Sequence, residues 1–342
     1  MKPSLRPLWI ALLLLLSALL LSALVGSVPI SPADLLRLAL GQLPPEQAET
    51  YATILLRLRL PRTALMALAG ASLAGSGTAY QGLFRNPLAD PYLIGVAAGA
   101  GLGAVLAMTV QWPYSLLGLL AVPAAAFLGG LGSVLAVAAL SRSANATLSG
   151  GRSASASLLL AGVAVSSFTT AVTSLLMLRA NGELRRALVW LLGGATLSGW
   201  LPVVALLPYV LLGLGVLLTM GHALNVLQFG EEQAQQLGLP VERVRRWVIG
   251  SATLVTAAAV AFSGIIGFVG LIVPHLVRLL TGSDYRRILP LSMLGGSALL
   301  LFADVIARRL LAPQEVPVGV ITALAGAPFF LWVLRRSNKG GQ

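Results

Sequence analysis

The sequence contains no cysteine. Disulfides, thiolate nucleophiles and cysteine-ligated metals or clusters are therefore excluded. Charge is almost as scarce, at 10% of the 342 residues, where a soluble domain carries roughly 25%. Lysine occurs only as Lys2 and Lys339, close to the two ends. A phosphate-binding loop of the G-x-x-x-x-G-K-[ST] type needs an internal lysine, so ATP binding by that motif is closed to this chain. The two histidines, His222 and His275, are far apart in sequence, and with no cysteine they leave a membrane enzyme without a catalytic constellation.

What fills the sequence instead is apolar. Hydrophobic residues make up 57% of the chain and the mean hydropathy is +0.89. Unbroken runs such as 9–27 and 203–220 favour helices over barrel strands, which would alternate. With about 20 apolar residues per crossing, the sequence predicts an all-α polytopic membrane protein with one domain over 1–342. Its ten spans fall near 9–28, 61–84, 92–110, 114–140, 156–178, 200–220, 247–264, 267–280, 289–310 and 317–334. The eighth is too short to cross unaided, and a further apolar piece at 187–197 reads as a half-helix. The first run follows Lys2 and Arg6 as a signal peptide would, but its length and vague cleavage site favour an uncleaved helix.

The net charge of +12 comes from 23 basic residues, most of them between apolar runs. That is a membrane-flanking pattern and implies no nucleic-acid partner. With both termini inside, 14 basic residues lie on the cytoplasmic side and 9 outside. The balance supports this orientation, yet nine outside is a surplus. The largest hydrophilic interior stretch, "HALNVLQFGEEQAQQLGLPVERVRR" (222–246), predicts a short helix over 231–237, a stop at Gly238 and a new helix opened by Pro240. Gly95, Gly99 and Gly103 recur every fourth residue, as does the Gly70/Ala74 pair, a spacing for close helix packing. Ser166, Thr169, Thr170, Thr173 and Ser174 form a polar stripe on the fifth span. Asp304 stands four residues before Arg308, the spacing of a helical ion pair. Asp90 belongs to the turn "NPLADP".

Six blocks, in order, resemble one family. They begin with "RLPRTALMALAGASLAGSGTAYQGLFRNPLADPYLIGVAAGAG" (59–101), "LLLAGVA" (158–164) and "WLLGGATLSGW" (190–200). They continue with "GEEQAQQLGLP" (230–240), "GFVGLIVPHLVRLLTG" (267–282), and "LLLFADVIAR" with "EVPVGVITALAGAPFFLWVL" (299–308 and 315–334). The chain resembles the FecCD-type permeases of ABC importers for iron-siderophore, haem and cobalamin. The resemblance implies a homodimer of ten-helix subunits in the bacterial cytoplasmic (inner) membrane, with both termini cytoplasmic. It further implies two copies of an ABC ATPase below, holding the ATP and magnesium, and a periplasmic or lipoprotein substrate-binding protein above. The chain itself would bind no cofactor or metal and would touch membrane lipid along its sides.

Particular residues follow from the same resemblance. Arg59, Arg62 and Arg308 would dock the binding protein, which accounts for the exterior surplus. Glu231, Glu232 and Gly238 would couple to the ATPase through helices within 222–246. Ser166, Thr170 and Thr173 would line the translocation path, and Ser155 in "SASAS" would belong to the cytoplasmic gate. His275 is expected to be structural, in the last helical turn, where it could bond free carbonyls. Ferric siderophore is the first expectation for cargo, with haem and cobalamin next. The reading from another class is an ion-gradient-driven carrier, which would want charges at mid-membrane.

Overall fold

The computed structural model describes residues 6–339 apart from 27, 29, 111, 114, 148–153, 180–183, 195 and 196. Among the described residues the secondary structure is helical, with a single isolated β-bridge between Leu311 and Gln314. Ten helices fall on the ten expected spans: α1 (Arg6–Leu24), α4 (Leu60–Phe84), α5 (Val96–Met108), α6 (Leu116–Thr147), α7 (Ala154–Arg179), α9 (Leu201–Thr219), α12 (Val241–Ser263), α13 (Val269–Thr281), α14 (Tyr285–Arg309) and α15 (Val318–Lys339). Six of these, α1, α6, α7, α9, α12 and α14, are long and apolar enough to cross a bilayer on their own. At 13 residues, α5 and α13 reach only about 20 Å and depend on neighbours for cover.

α4 is long enough but rich in glycine, serine and threonine. It is the hub of the molecule: α14, α12, α13 and α9 all pack on it. Small residues make that possible. A Cβ added to Gly70 would sit 2.3 Å from the carbonyl oxygen of Gly296, and one on Gly77 would sit 2.3 Å from that of Gly270. The same device joins α5 to α6, where Gly99 and Gly103 face the Gly129 and Ala125 carbonyls at 2.3 and 2.1 Å. The glycine periodicity therefore sets helix separation, as its spacing implies. Hydroxyls in this core turn inward: Thr256 donates to Ser76 at 2.9 Å, and the Tyr80 and Thr253 hydroxyls are 3.0 Å apart.

Five short α-helices complete the described chain. α2 (Pro32–Ala39) and α3 (Pro45–Thr53) precede α4, α8 (Leu184–Leu191) starts before the half-helix expected at 187–197 and covers only its first part, and α10 (Gly221–Leu227) follows α9. The fifth, α11 (Glu231–Gln236), is the expected knob helix. α3 runs into α4 through a π-helical turn at Ile54–Arg59, closed by the Leu60 N–H bonding to the Leu55 carbonyl. Pro61 explains the widened turn. It has no N–H, and its ring displaces the carbonyl four residues back.

Candidate functional site

The π turn decides what the first arginine cluster does. It rotates Arg59 inward, to 6% exposure, and leaves Arg57 outside. Arg59 Nη1 donates to the carbonyls of Ala23 and Leu24, both at 2.8 Å, and Nη2 donates to that of Val28. Arg308, 5% exposed, donates to the Val25 carbonyl at 3.0 Å and to Ser22 Oγ at 2.9 Å. The last carbonyls of α1 thus find two cations from other helices, the favourable sign for a helix C-terminus. Arg308 also pairs with the fully buried Asp304 at 3.0 Å, the ion pair its spacing implies. Asp304 is shared: Arg62 reaches it at 2.8 Å and extends to Glu315 at 2.5 Å. A cavity of about 340 Å³ opens beside this network, lined in part by Arg59, Arg62, Arg308 and Glu315. Of the three arginines expected to dock a partner, only Arg62 is partly exposed. The exposed cations nearby in sequence, Arg57 and Arg309, are residues the sequence reading left aside.

The polar stripe on α7 divides. Thr173 is buried and bonds back to the Thr169 carbonyl at 2.8 Å, Thr169 does the same to Val165, and Ser174 bonds to Thr170 at 3.0 Å. Ser166 is half-buried beside Gly95, and Thr170 faces outward. Around Thr170, α7 exposes Val163, Phe168 and Leu175, so its free face is largely apolar, and the exposed Ser174 hydroxyl there is satisfied by its own helix. A groove of about 510 Å³ between α5, α6 and α7 is walled by Gly99, Gly103, Gly129, Ala164 and Thr169 among others. Ser155 falls in the first turn of α7, and its side chain lies outside the described residues.

At the other end, α10, α11 and the start of α12 form the knob; the helix expected to open at Pro240 is the membrane-spanning α12 itself and not a second short one. Glu231 opens α11 and pairs with Arg245 of α12 at 2.7 Å, while Arg245 also holds Glu242 at 2.6 Å. Glu232 is exposed. Gly238 has φ +85° and ends α11: its N–H bonds to the Gln235 carbonyl, and the Leu239 N–H to that of Ala234, both at 2.9 Å. This is a Schellman closure, which requires the left-handed residue. Phe229 and Leu237, one on each side of α11, are each 68% exposed. Two bare apolar side chains thus flank an acidic helix, a feature that the sequence reading passed over.

The knob is tied to the membrane helices. Asn225 Nδ2 of α10 donates to Asp284 Oδ1 at 2.6 Å, and Asn225 Oδ1 accepts from the Tyr285 N–H at 2.7 Å. Asp284 is also the N-cap of α14. The Arg286 side chain beside it holds its carboxyl down at about 2. On α13, Arg278 donates to Gln81 Oε1 at 2.8 Å, and Gln81 Nε2 donates to the Gly270 carbonyl at 3.1 Å. His275 does not sit in the last turn, which corrects the capping expectation. It lies well inside α13 and meets Phe329 of α15 edge-on, with ring centroids 5.9 Å apart. Asp90, in the turn before α5, accepts from the Tyr92 N–H at 2.8 Å as a local cap.

A bundle with small-residue contacts, a buried ionic clamp at one end and a protruding acidic knob at the other has the form of a multi-span transport subunit. The FecCD transport family model matches residues 13–336, and the chain belongs to that family. It is 49% identical over 84% of its length to the cobalamin import system permease BtuC of Halobacterium salinarum, covering 74% of that protein. It is 40% identical to the hemin transport system permease HmuU of Yersinia pestis, covering 84% of each chain. A solved metal-chelate type ABC transporter in an inward-facing conformation superposes with a TM-score of 0.83 at 31% identity, over 97% of this chain and all of the other. The chain is therefore a permease subunit of an ABC importer and not itself an enzyme. The ion-gradient carrier reading falls with that membership.

Proposed function

We propose that this chain forms the membrane path of an ATP-driven importer for a corrinoid, with haem as second substrate class. The carrying observation is the 49% identity to a cobalamin permease, against 40% for the hemin relative. The ferric siderophore expected from sequence has no support from either. The free face of α7, largely apolar with a few hydroxyls, suits a bulky chelate that must be held weakly.

In this reading two copies pair around the path in the cytoplasmic membrane, with termini and knob on the cytoplasmic side. Two ATPase subunits carry ATP and magnesium and receive the knob: Phe229 and Leu237 anchor it, Glu231 and Glu232 give it charge, and Gly238 fixes its shape. The ties through Asn225 and Asp284 carry ATPase closure into α14. The binding protein docks on the opposite end through Arg57, Arg62 and Arg309, with Arg59 and Arg308 holding that rim in shape. Ser155 stands at the cytoplasmic gate, and Ser166, Thr170 and Thr173 belong to the helix beside the path. The deciding experiment measures ATP hydrolysis by the reconstituted complex with its binding protein and each chelate in turn. Stimulation by cobalamin above haem and ferric siderophore is the expected order, and stimulation by a siderophore alone would overturn the substrate assignment.

A further inference from the structure

A groove of about 660 Å³ opens between α6, the start of α7 and the first half of α12, at the end that carries the knob. Its walls are graded from apolar to cationic. On α6, Leu131, Leu135, Ala138 and Arg142 line it at spacings of three and four, a single stripe that ends in the arginine. On α12 the stripe runs the other way, from Thr253 through Gly250 and Ile249 to Arg246. Both arginines therefore stand at one mouth. The α6 stripe rises roughly 16 Å at about 1.5 Å per residue. That matches one leaflet of a hydrocarbon core about 30 Å thick.

The charges at the mouth are unequal. Arg245 is held by Glu231 and Glu242. Arg142 and Arg246 touch only backbone carbonyls of their own helices, at 3.2 and 3.4 Å through Nε, and form no ion pair among the described residues. Their terminal N–H groups are left for an anion. Trp247, beside Arg246, is 55% exposed, as aromatic side chains are at a membrane interface.

We propose that this groove is a binding site for one anionic phospholipid, with its phosphate between Arg142 and Arg246 and an acyl chain along the α6–α12 seam. Arginine recognises phosphate by parallel N–H donors, and basic pockets between membrane helices suit such headgroups. The lipid would lie against Arg245, whose pair with Glu231 ties α11 to α12, next to the coupling knob. The membrane face assigned to it rests on the functional reading above.

The test is native mass spectrometry of the complete complex released from bilayers of phosphatidylglycerol and phosphatidylcholine in equal amounts. Phosphatidylglycerol should be retained in preference. Arg142→Gln and Arg246→Gln should each weaken its retention about five-fold, the scale of one cationic side chain at an anionic surface. Gly250→Leu should remove the adduct with assembly intact, because a Cβ there meets nothing within 4 Å and the side chain fills the groove. Equal retention of both lipids, or adducts unchanged in these variants, would overturn the site. So would loss of permease self-association in Gly250→Leu, which would mean that a second copy covers the groove. Substrate-stimulated ATP hydrolysis measured on the same samples separates the two readings: stimulation without lipid preference sinks only the lipid site, and lipid preference without stimulation sinks only the substrate reading.

Discussion

Arg59 and Arg308 are buried cations surrounded by carbonyl oxygens, and Asp304 is the only buried carboxylate beside them among the described residues. Removing one partner of such a set leaves the others uncompensated, which costs about 3–5 kcal/mol. Asp304→Ala should therefore lower the thermal midpoint of the purified permease by several degrees, and an unchanged midpoint would contradict the clamp. Arg57→Gln should leave the midpoint alone and weaken binding-protein affinity, measured by surface plasmon resonance. Asp284 gives the pH dependence. Its carboxyl is depressed to about 2 in the folded chain, against an ordinary value of about 3.9, so its stabilisation is complete above about pH 4. It is lost as the pH falls towards 2. Circular dichroism of Asp284→Asn should show the acid-induced loss between those values diminished relative to the parent.

Element positions were legible in the sequence wherever an apolar run was long. All ten expected spans have a helix, and the knob closes at Gly238 where glycine and Pro240 mark it. The amphipathic α2 and α3 were not legible, because a search for long apolar runs passes over short polar helices. The π turn was missed for a different reason. It is one proline's effect on a helix already expected, and each residue of rotation moves a side chain by about 100°. That rotation hid Arg59 and bared Arg57, so residue choice at this end was less readable than the element carrying it. His275 was misplaced although the end of α13 was expected within one residue of Thr281: six residues before that end, it lies above the last turn, whose carbonyls it was expected to bond. Glycine contacts give a sharper expectation. Gly70→Ala must push α4 from the backbone of α14, since the obstructing atom is a carbonyl oxygen 2.3 Å away. Gly215→Ala meets nothing. The first should depress the thermal midpoint and the second should not, in the same differential scanning experiment.

At the scale of the whole molecule, a clamp at one end and a knob at the other are joined through α14, whose N-cap is tied to α10 and whose far end carries Asp304 and Arg308. In the proposed function, movement of the knob passes to the far end through this helix, which is held at both ends. Gly238→Val breaks this at its weakest point, because a β-branched residue resists a φ of +85°. ATP hydrolysis in that variant should persist while import fails. The most direct measurement of the central claim is uptake of labelled cobalamin into proteoliposomes that contain the permease and ATPase, with binding protein on the receiving face. Uptake should require ATP, survive ionophores that collapse ion gradients, and disappear in Gly238→Val. Accumulation driven by an ion gradient without ATP would contradict the account.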